Sequence, residues 1–99
     1  MVFEIPKKFN IVCHTITVRQ DKDDTLDDLG AHGAWVAQRN EILIRSTLPP
    51  TRKFQTFCHE LEHAVQRSMG IGNDEHDEKE VDLRGSLLAQ ALLSFKGTL

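Results

Sequence analysis

The chain has no tyrosine, only two cysteines and no apolar stretch long enough to span a membrane. Two cysteines in 99 residues do not build the disulfide framework of a small secreted domain. The net charge of -3 lacks the basic excess that indicates binding to nucleic acid or to an anionic membrane surface. Residues 1–6 have neither the basic region nor the apolar run of a signal peptide. We therefore expect a cytoplasmic protein with no nucleic-acid and no membrane partner.

The length and the strand signals predict one small domain over residues 1–99. Its core is thin, so a bound metal would add useful stability. Residues 11–18 are β-branched and roughly alternating, which predicts a strand. Residues 34–37 and 41–45 flank three polar residues, 38–40, which indicates a hairpin. These segments predict an antiparallel sheet of about three strands.

Two helices are predicted after a Pro-Pro pair breaks the chain. The first carries apolar side chains at three- and four-residue spacings, with Thr51 as its N-cap. We expect it to end near Met69, with Gly70 as the left-handed cap. The second is predicted over residues 74–94, with an apolar stripe of Val81, Gly85, Leu88, Leu92 and Phe95. Strands followed by helices predict an α+β fold with two helices on one face of the sheet.

The first helix contains the sequence His59-Glu60-Leu61-Glu62-His63. Residues four apart on a helix share one face, with Cβ atoms about 5–6 Å apart, so two imidazoles can reach one Zn²⁺. Glu60 points to the side, where its carboxylate can take a proton from a water on the metal. We predict one zinc ion held by His59 and His63, with Glu60 as the catalytic base. The alternative is a helix with two surface histidines and salt-bridging glutamates.

The third ligand should come from the acidic start of the second helix, because a catalytic zinc usually takes three protein ligands and a water. At 100° per residue, Glu78 lies about 50° from the centre of the apolar stripe and Glu80 about 110°. This favours Glu78. His76 is the alternative third ligand, because the imidazole nitrogen is a common zinc ligand. Asp82 follows Glu78 by four residues and is placed to hydrogen-bond a ligand histidine.

On these residues the chain resembles the small gluzincin-type zinc metallopeptidases, including the ImmA/IrrE-like and phage-encoded peptidases. The resemblance covers residues 30–95 and is carried by three parts. They are the strand Glu41-Ile-Leu-Ile-Arg45, the helix segment Phe57-Cys-His-Glu-Leu-Glu-His-Ala64 and the acidic start of the last helix. It implies a minimal zincin domain with one zinc ion. It also implies endopeptidase activity on a peptide or protein, such as a regulatory protein.

The resemblance gives two conflicting alignments for the third ligand. A Glu on the helix after the motif helix, followed by Asp82, corresponds to Glu78 in an E-x-x-x-D pattern. The stretch Glu80-Val81-Asp82 instead resembles the E-A-N stretch of the ImmA/IrrE group, which would make Glu80 the ligand. The helix-face argument favours Glu78.

The same resemblance implies that residues 42–45 bind the backbone of the substrate. Some zincins steady the oxyanion with a tyrosine hydroxyl, and this chain has none. The substitutes that remain open are His14, His32, His76 and Arg84. The missing hydroxyl and the short chain also motivate a second function, a zinc-stabilised protein-binding module without turnover.

Overall fold

A computed structural model describes residues 4–21, 26 and 31–99 of the chain. Within these residues, four strands and two α-helices follow one another in the order β1–β4 and then α1–α2. Their bounds are β1 Lys8–Ile11, β2 His14–Asp21, β3 Gly33–Val36, β4 Glu41–Arg45, α1 Pro50–Ser68 and α2 Glu78–Leu93. Short 3₁₀ turns occupy Ala37–Arg39 and Asn73–Glu75. The predicted α+β class with two helices is confirmed.

The sheet has four strands in the order β1-β2-β4-β3. The predicted hairpin is present, because β3 and β4 pair antiparallel, and β1 pairs antiparallel with β2. However, β2 and β4 run parallel, so the sheet is mixed rather than antiparallel. The expected count of three strands was also too low, since residues 11–18 contain a turn. Val12 in that turn has a φ of 55°, and the chain reverses there between β1 and β2.

Strand β4 lies in the interior of the sheet and carries much of the core. Ile42 and Ile44 are at most 1% exposed and pack with Phe54, Phe57 and Cys58 of α1. Both backbone edges of β4 are already paired, one with β2 and one with β3. The expectation that residues 42–45 bind a substrate backbone was therefore wrong. In the described part of the sheet, the edge strand on this side is β3.

The first helix begins two residues earlier than expected. Pro50 occupies the first helical position and Pro49 is the N-cap, with no side-chain cap hydrogen bond, so the assignment of Thr51 as N-cap was wrong. Proline suits this position because its φ is preset and its missing N–H would have no helical partner. The end was predicted correctly, because Gly70 has a φ of 87°. The Ile71 N–H donates to the Gln66 carbonyl at 3.0 Å, which closes a Schellman motif.

The second helix begins at Glu78, four residues later than predicted. Both Asp74 and Asp77 can cap a helix, and the chain uses Asp77, whose Oδ1 accepts from the Lys79 N–H at 3.0 Å. Neither described helix combines the length and the apolar character needed to cross a membrane.

The apolar stripe predicted for α2 is correct at Val81, Gly85 and Leu92 and wrong at Leu88 and Phe95. Val81, Gly85 and Ala89 are buried at four-residue spacing, whereas Leu88 is 41% exposed and Phe95 is 49% exposed. The reason is the short distance between the helices. A Cβ on Gly85 would lie 2.8 Å from the His59 Cα and 2.9 Å from its N. A large side chain cannot enter this contact, and Leu88 faces outward, whereas Leu92 one turn further on is partly buried and packs against the core.

Candidate metal centre

The middle of α1 brings His59, Glu60 and His63 together in a cluster that could hold a metal ion. One ligand atom from each of the three lies within 4.8 Å of the other two. The two imidazole rings have centroids 5.4 Å apart, as expected for residues four apart on one helix face. Glu60 and His63 are buried and His59 is half-buried. The predicted His-Glu-x-x-His arrangement is therefore present on a helix.

Glu78, the first residue of α2, places its carboxylate between the two histidines. Its Oε1 lies 2.8 Å from His63 Nε2, and its Oε2 lies 3.3 Å from His59 Nε2. Both imidazoles thus point the same ring nitrogen at one carboxyl group. Two imidazole nitrogens and one carboxylate form a donor set that suits Zn²⁺.

Glu80 points elsewhere. Its Oε1 lies 2.6 Å from Arg84 Nη2, in an ion pair along the same helix. Arg84 Nη1 lies 4.0 Å from Glu62 Oε1 on α1. Of the two glutamates considered for the third ligand position, the structure brings Glu78 to the histidines and directs Glu80 to Arg84.

The remaining nitrogen of each histidine also faces a polar side chain. Asp82 Oδ1 lies 3.4 Å from His59 Nδ1, as the four-residue spacing from Glu78 predicted. His76 Nδ1 lies 2.7 Å from His63 Nδ1. His76 therefore sits behind His63, on the opposite side of the ring from Glu78. It does not occupy the third ligand position for which it was considered.

Glu60 is a buried carboxylic acid. It is 5% exposed, and its Oε2 has no hydrogen-bond partner among the described residues. Burial raises the pKa of the Glu60 carboxyl to about 8, and the nearby Glu78 carboxylate adds to the rise. A buried polar group without a partner is rare in native proteins, and such groups gather at functional sites. The unpartnered Oε2 of Glu60 is therefore available to contact a cation or to accept a proton.

Cys58 does not join the cluster, although it precedes His59. It is fully buried in the core, and burial raises the pKa of its thiol to about 11. Zinc binds the thiolate, which this environment disfavours. The expectation from helix geometry that Cys58 is not a ligand agrees with this placement.

Two clefts open on either side of Glu60, and Gly33 of β3 borders both. The cleft on the His59 side has a volume of about 280 Å³. Its lining includes His32, Arg52, Gln55, Thr56, Asp82 and Ser86. The cleft on the His63 side is bordered by Ala34, Trp35, Asn73 and Glu78. Glu60 and Gly33 are therefore accessible from both clefts.

The four residues considered as oxyanion donors are placed very differently. His32 lines the same cleft as His59 and Glu60. His14 begins β2 and borders a separate cleft with Trp35. Arg84 is paired with Glu80, and His76 lies behind His63. Of these four, only His32 lines a described cleft together with Glu60.

Two glycines let neighbouring elements approach the motif closely from two sides. Gly85 brings α2 against the backbone of His59, and the sequence stripe already included it. On the other side, a Cβ on Gly33 would lie 2.5 Å from Thr56 Cγ2 and 3.4 Å from Glu60 Cγ. No sequence pattern pointed to Gly33, because its role depends on the pairing of β3 with the sheet.

Comparison with family models, with curated proteins and with solved structures gives no match for the chain. The fold and the cluster define it as an α+β protein with a His-Glu-x-x-His group that could hold a metal ion. The gluzincin resemblance beyond that cluster stays a prediction.

Proposed function

We propose that the protein is a zinc-dependent peptidase in which His59, His63 and Glu78 hold one zinc ion and Glu60 is the base. The observation that carries the proposal is the convergence of both Nε2 atoms and the Glu78 carboxylate, at 2.8 and 3.3 Å, next to the buried Glu60. When bound there, zinc would supply a Lewis acid that acidifies a water molecule and polarises a carbonyl.

In this proposal Glu60 moves the proton. Its Oε2 has no partner among the described residues, and its side chain borders both clefts. It takes a proton from the attacking water and delivers it to the departing amine, as a general base and then a general acid. The rigid helix and the close packing at Gly33 hold the carboxylate in place during both transfers.

The edge strand β3 is the natural platform for a peptide. Its residues Gly33, Ala34 and Trp35 border the clefts that flank Glu60. An extended peptide that pairs with an exposed strand edge gains main-chain hydrogen bonds and is held straight. Such a peptide would run past Glu60 and present one carbonyl to the site. The substrate is accordingly a peptide or an extended segment of a protein, and the resemblance favours a regulatory protein in the cytoplasm.

His32 is the side chain we assign to the oxyanion, because it shares the cleft with His59 and Glu60. An imidazole N–H can donate to the oxygen on which negative charge develops. This assignment replaces the absent tyrosine hydroxyl with a residue that immediately precedes β3.

The test of the proposed function combines metal analysis with cleavage by two variants. The purified wild type should hold one equivalent of zinc and cleave members of a proteome-derived peptide library, detected by mass spectrometry. Glu60→Gln should keep the zinc and lose the cleavage. His14→Ala, which changes a histidine outside the cluster, should keep both. A wild type that binds no zinc after reconstitution would refute the proposal.

A second function is favoured by one distance. Glu60 Oε1 lies 3.7 Å from His59 Nε2, so Glu60 could itself act as a fourth ligand. Four protein ligands close a zinc site and make it structural. The protein would then be a zinc-stabilised binding module without turnover. In that case Glu60→Gln should weaken zinc binding, and a chelator should lower the melting temperature of a wild type that cleaves no peptide.

A further inference from the structure

His63 and His76 form a hydrogen bond through a pair of identical ring atoms. Their Nδ1 atoms are 2.7 Å apart, their ring planes are inclined by 15° and their centroids are 5.0 Å apart. A face-to-face stack would keep all ring atoms about 3.5 Å or more apart. The shorter nitrogen–nitrogen distance means that the rings meet edge to edge in nearly one plane, as an imidazole–imidazole hydrogen bond requires.

The other nitrogen of His76 determines the direction of this bond. His76 Nε2 lies 3.1 Å from the Ile71 carbonyl oxygen, which can only accept, so His76 carries a proton on Nε2. In neutral His76 the Nδ1 atom then carries a lone pair and no proton. It can accept a proton from His63 Nδ1, and His63 Nε2 is left without one.

We propose that His76 is a positioning residue that holds His63 as its Nδ1–H tautomer and aims the free Nε2 lone pair at the metal. The inference rests on the proposed function, since it assigns His63 as a ligand. A histidine bound to zinc through Nε2 keeps its proton on Nδ1, and it almost always donates that proton to a fixed acceptor. His76 supplies the acceptor for His63, as Asp82 does for His59.

The anchor of His76 is the end of the same helix that carries the motif. Ile71 follows the left-handed Gly70, and its N–H is bound to the Gln66 carbonyl in the Schellman motif. The Ile71 carbonyl is thereby fixed relative to α1, and so is the ring of His76. Hydrogen bonds therefore connect the C-terminal cap of α1 to His63 on the same helix, through Ile71 and His76.

This arrangement excludes the two other roles that the sequence left open for His76. Both of its ring nitrogens are engaged, one by Ile71 and one by His63. Neither is free to bind the metal or to donate to a substrate oxygen. Two residues further on, Glu78 meets the opposite nitrogen of His63 at 2.8 Å. One short segment therefore holds His63 from both sides.

The hydrogen bond itself can be measured by NMR on protein with ¹⁵N-labelled histidine. We expect a scalar coupling between the Nδ1 nuclei of His63 and His76 in the metal-free protein. After one equivalent of zinc is added, the shared proton should couple directly to His63 Nδ1, and His76 should remain protonated on Nε2. Absence of the coupling, or a proton that couples directly to His76 Nδ1 in the zinc form, would overturn the proposal.

Zinc affinity tests the consequence. His76→Phe removes both nitrogens and should weaken zinc binding by about 10- to 100-fold, measured by competition with a chromogenic chelator. His76→Gln retains an acceptor oxygen and should recover most of that loss. His14→Phe is the matched control and should bind zinc as the wild type does.

The outcomes separate the two proposals. If the wild type binds zinc and His76→Phe binds it equally well, the role of His76 is refuted and the metal site stands. If the wild type binds no zinc, both proposals fail, whatever coupling the metal-free protein shows.

Discussion

Replacing Glu60 by glutamine should change how the stability of the metal-free protein depends on pH. Burial raises the pKa of this carboxyl from an ordinary value of 4.5 to about 8 in the folded chain. Between those two values the folded protein keeps a proton that the unfolded chain has lost. Unfolding then releases a proton, so the free energy of unfolding falls as pH rises.

The size of the effect follows from the two pKa values. The slope approaches about 1.4 kcal/mol per pH unit inside the window, because one group changes its proton. Between about pH 5 and pH 8 the wild type should lose about 3 kcal/mol from this carboxyl. That is a large part of the 5–15 kcal/mol that stabilises a typical domain. Glu60→Gln has no carboxyl to titrate and should not show this loss.

The assay is urea unfolding of both proteins in a chelator, at several pH values across the window. The informative quantity is the difference between the two curves, since a buried amide shifts stability by a constant that does not vary with pH. Burial lowers the pKa of His63, which makes stability rise with pH below that group's ordinary value of 6.5. This opposite slope is present in both proteins and cancels. Parallel curves for the two proteins would refute the assignment of a buried, proton-holding Glu60.

Substitutions at Glu78, Gly85 and His32, with controls at Glu80 and Leu88, test the rest of the site. Glu78→Ala should weaken zinc binding by more than roughly 100-fold, whereas Glu80→Ala should have a mild effect, and the reverse order in a chelator competition would favour the E-A-N alignment. Gly85→Ala should cost about 1–3 kcal/mol in urea unfolding and also weaken zinc binding, because the added methyl pushes α2 from α1. Leu88 is exposed, so Leu88→Ala should leave zinc binding unchanged. Equal zinc affinities in the wild type, Gly85→Ala and Leu88→Ala would contradict the packing argument. His32→Phe should lower kcat by about 100-fold with little change in KM, and an unchanged kcat would remove His32 from the reaction.

The parts of the site that could be predicted from the sequence are those that follow from the periodicity of a helix. His59 and His63 are four residues apart on one helix, so their common face follows from 3.6 residues per turn. Glu78 was favoured over Glu80 by the same rotation argument. In the structure the Glu78 carboxylate lies at 2.8 Å from His63 Nε2, while Glu80 bonds to Arg84. No pairing with a distant segment was needed for either inference.

The parts that the sequence did not reveal depend on contacts between distant segments. The parallel pairing of β2 with β4 places β3 at the edge, and no local pattern encodes that order. The edge position of β3 in turn decides which strand can meet a peptide. The inner face of α2 was misjudged for a related reason. The predicted stripe placed Leu88 on the inner face together with Gly85. Gly85 is buried there against the His59 backbone, whereas Leu88 is 41% exposed.

The site also carries an electrostatic conflict that a cation would resolve. Glu60 and Glu78 both lie against the imidazole of His59, and the Glu78 carboxylate adds to the rise in the pKa of Glu60. A fold selected only for stability would place an apolar residue where Glu60 lies, because burying a carboxyl group with an unpartnered oxygen costs free energy. A divalent cation held by His59, His63 and Glu78 would attract both carboxylates and would offset their mutual repulsion. The burial of this acidic side chain therefore fits a cluster that could hold a metal ion.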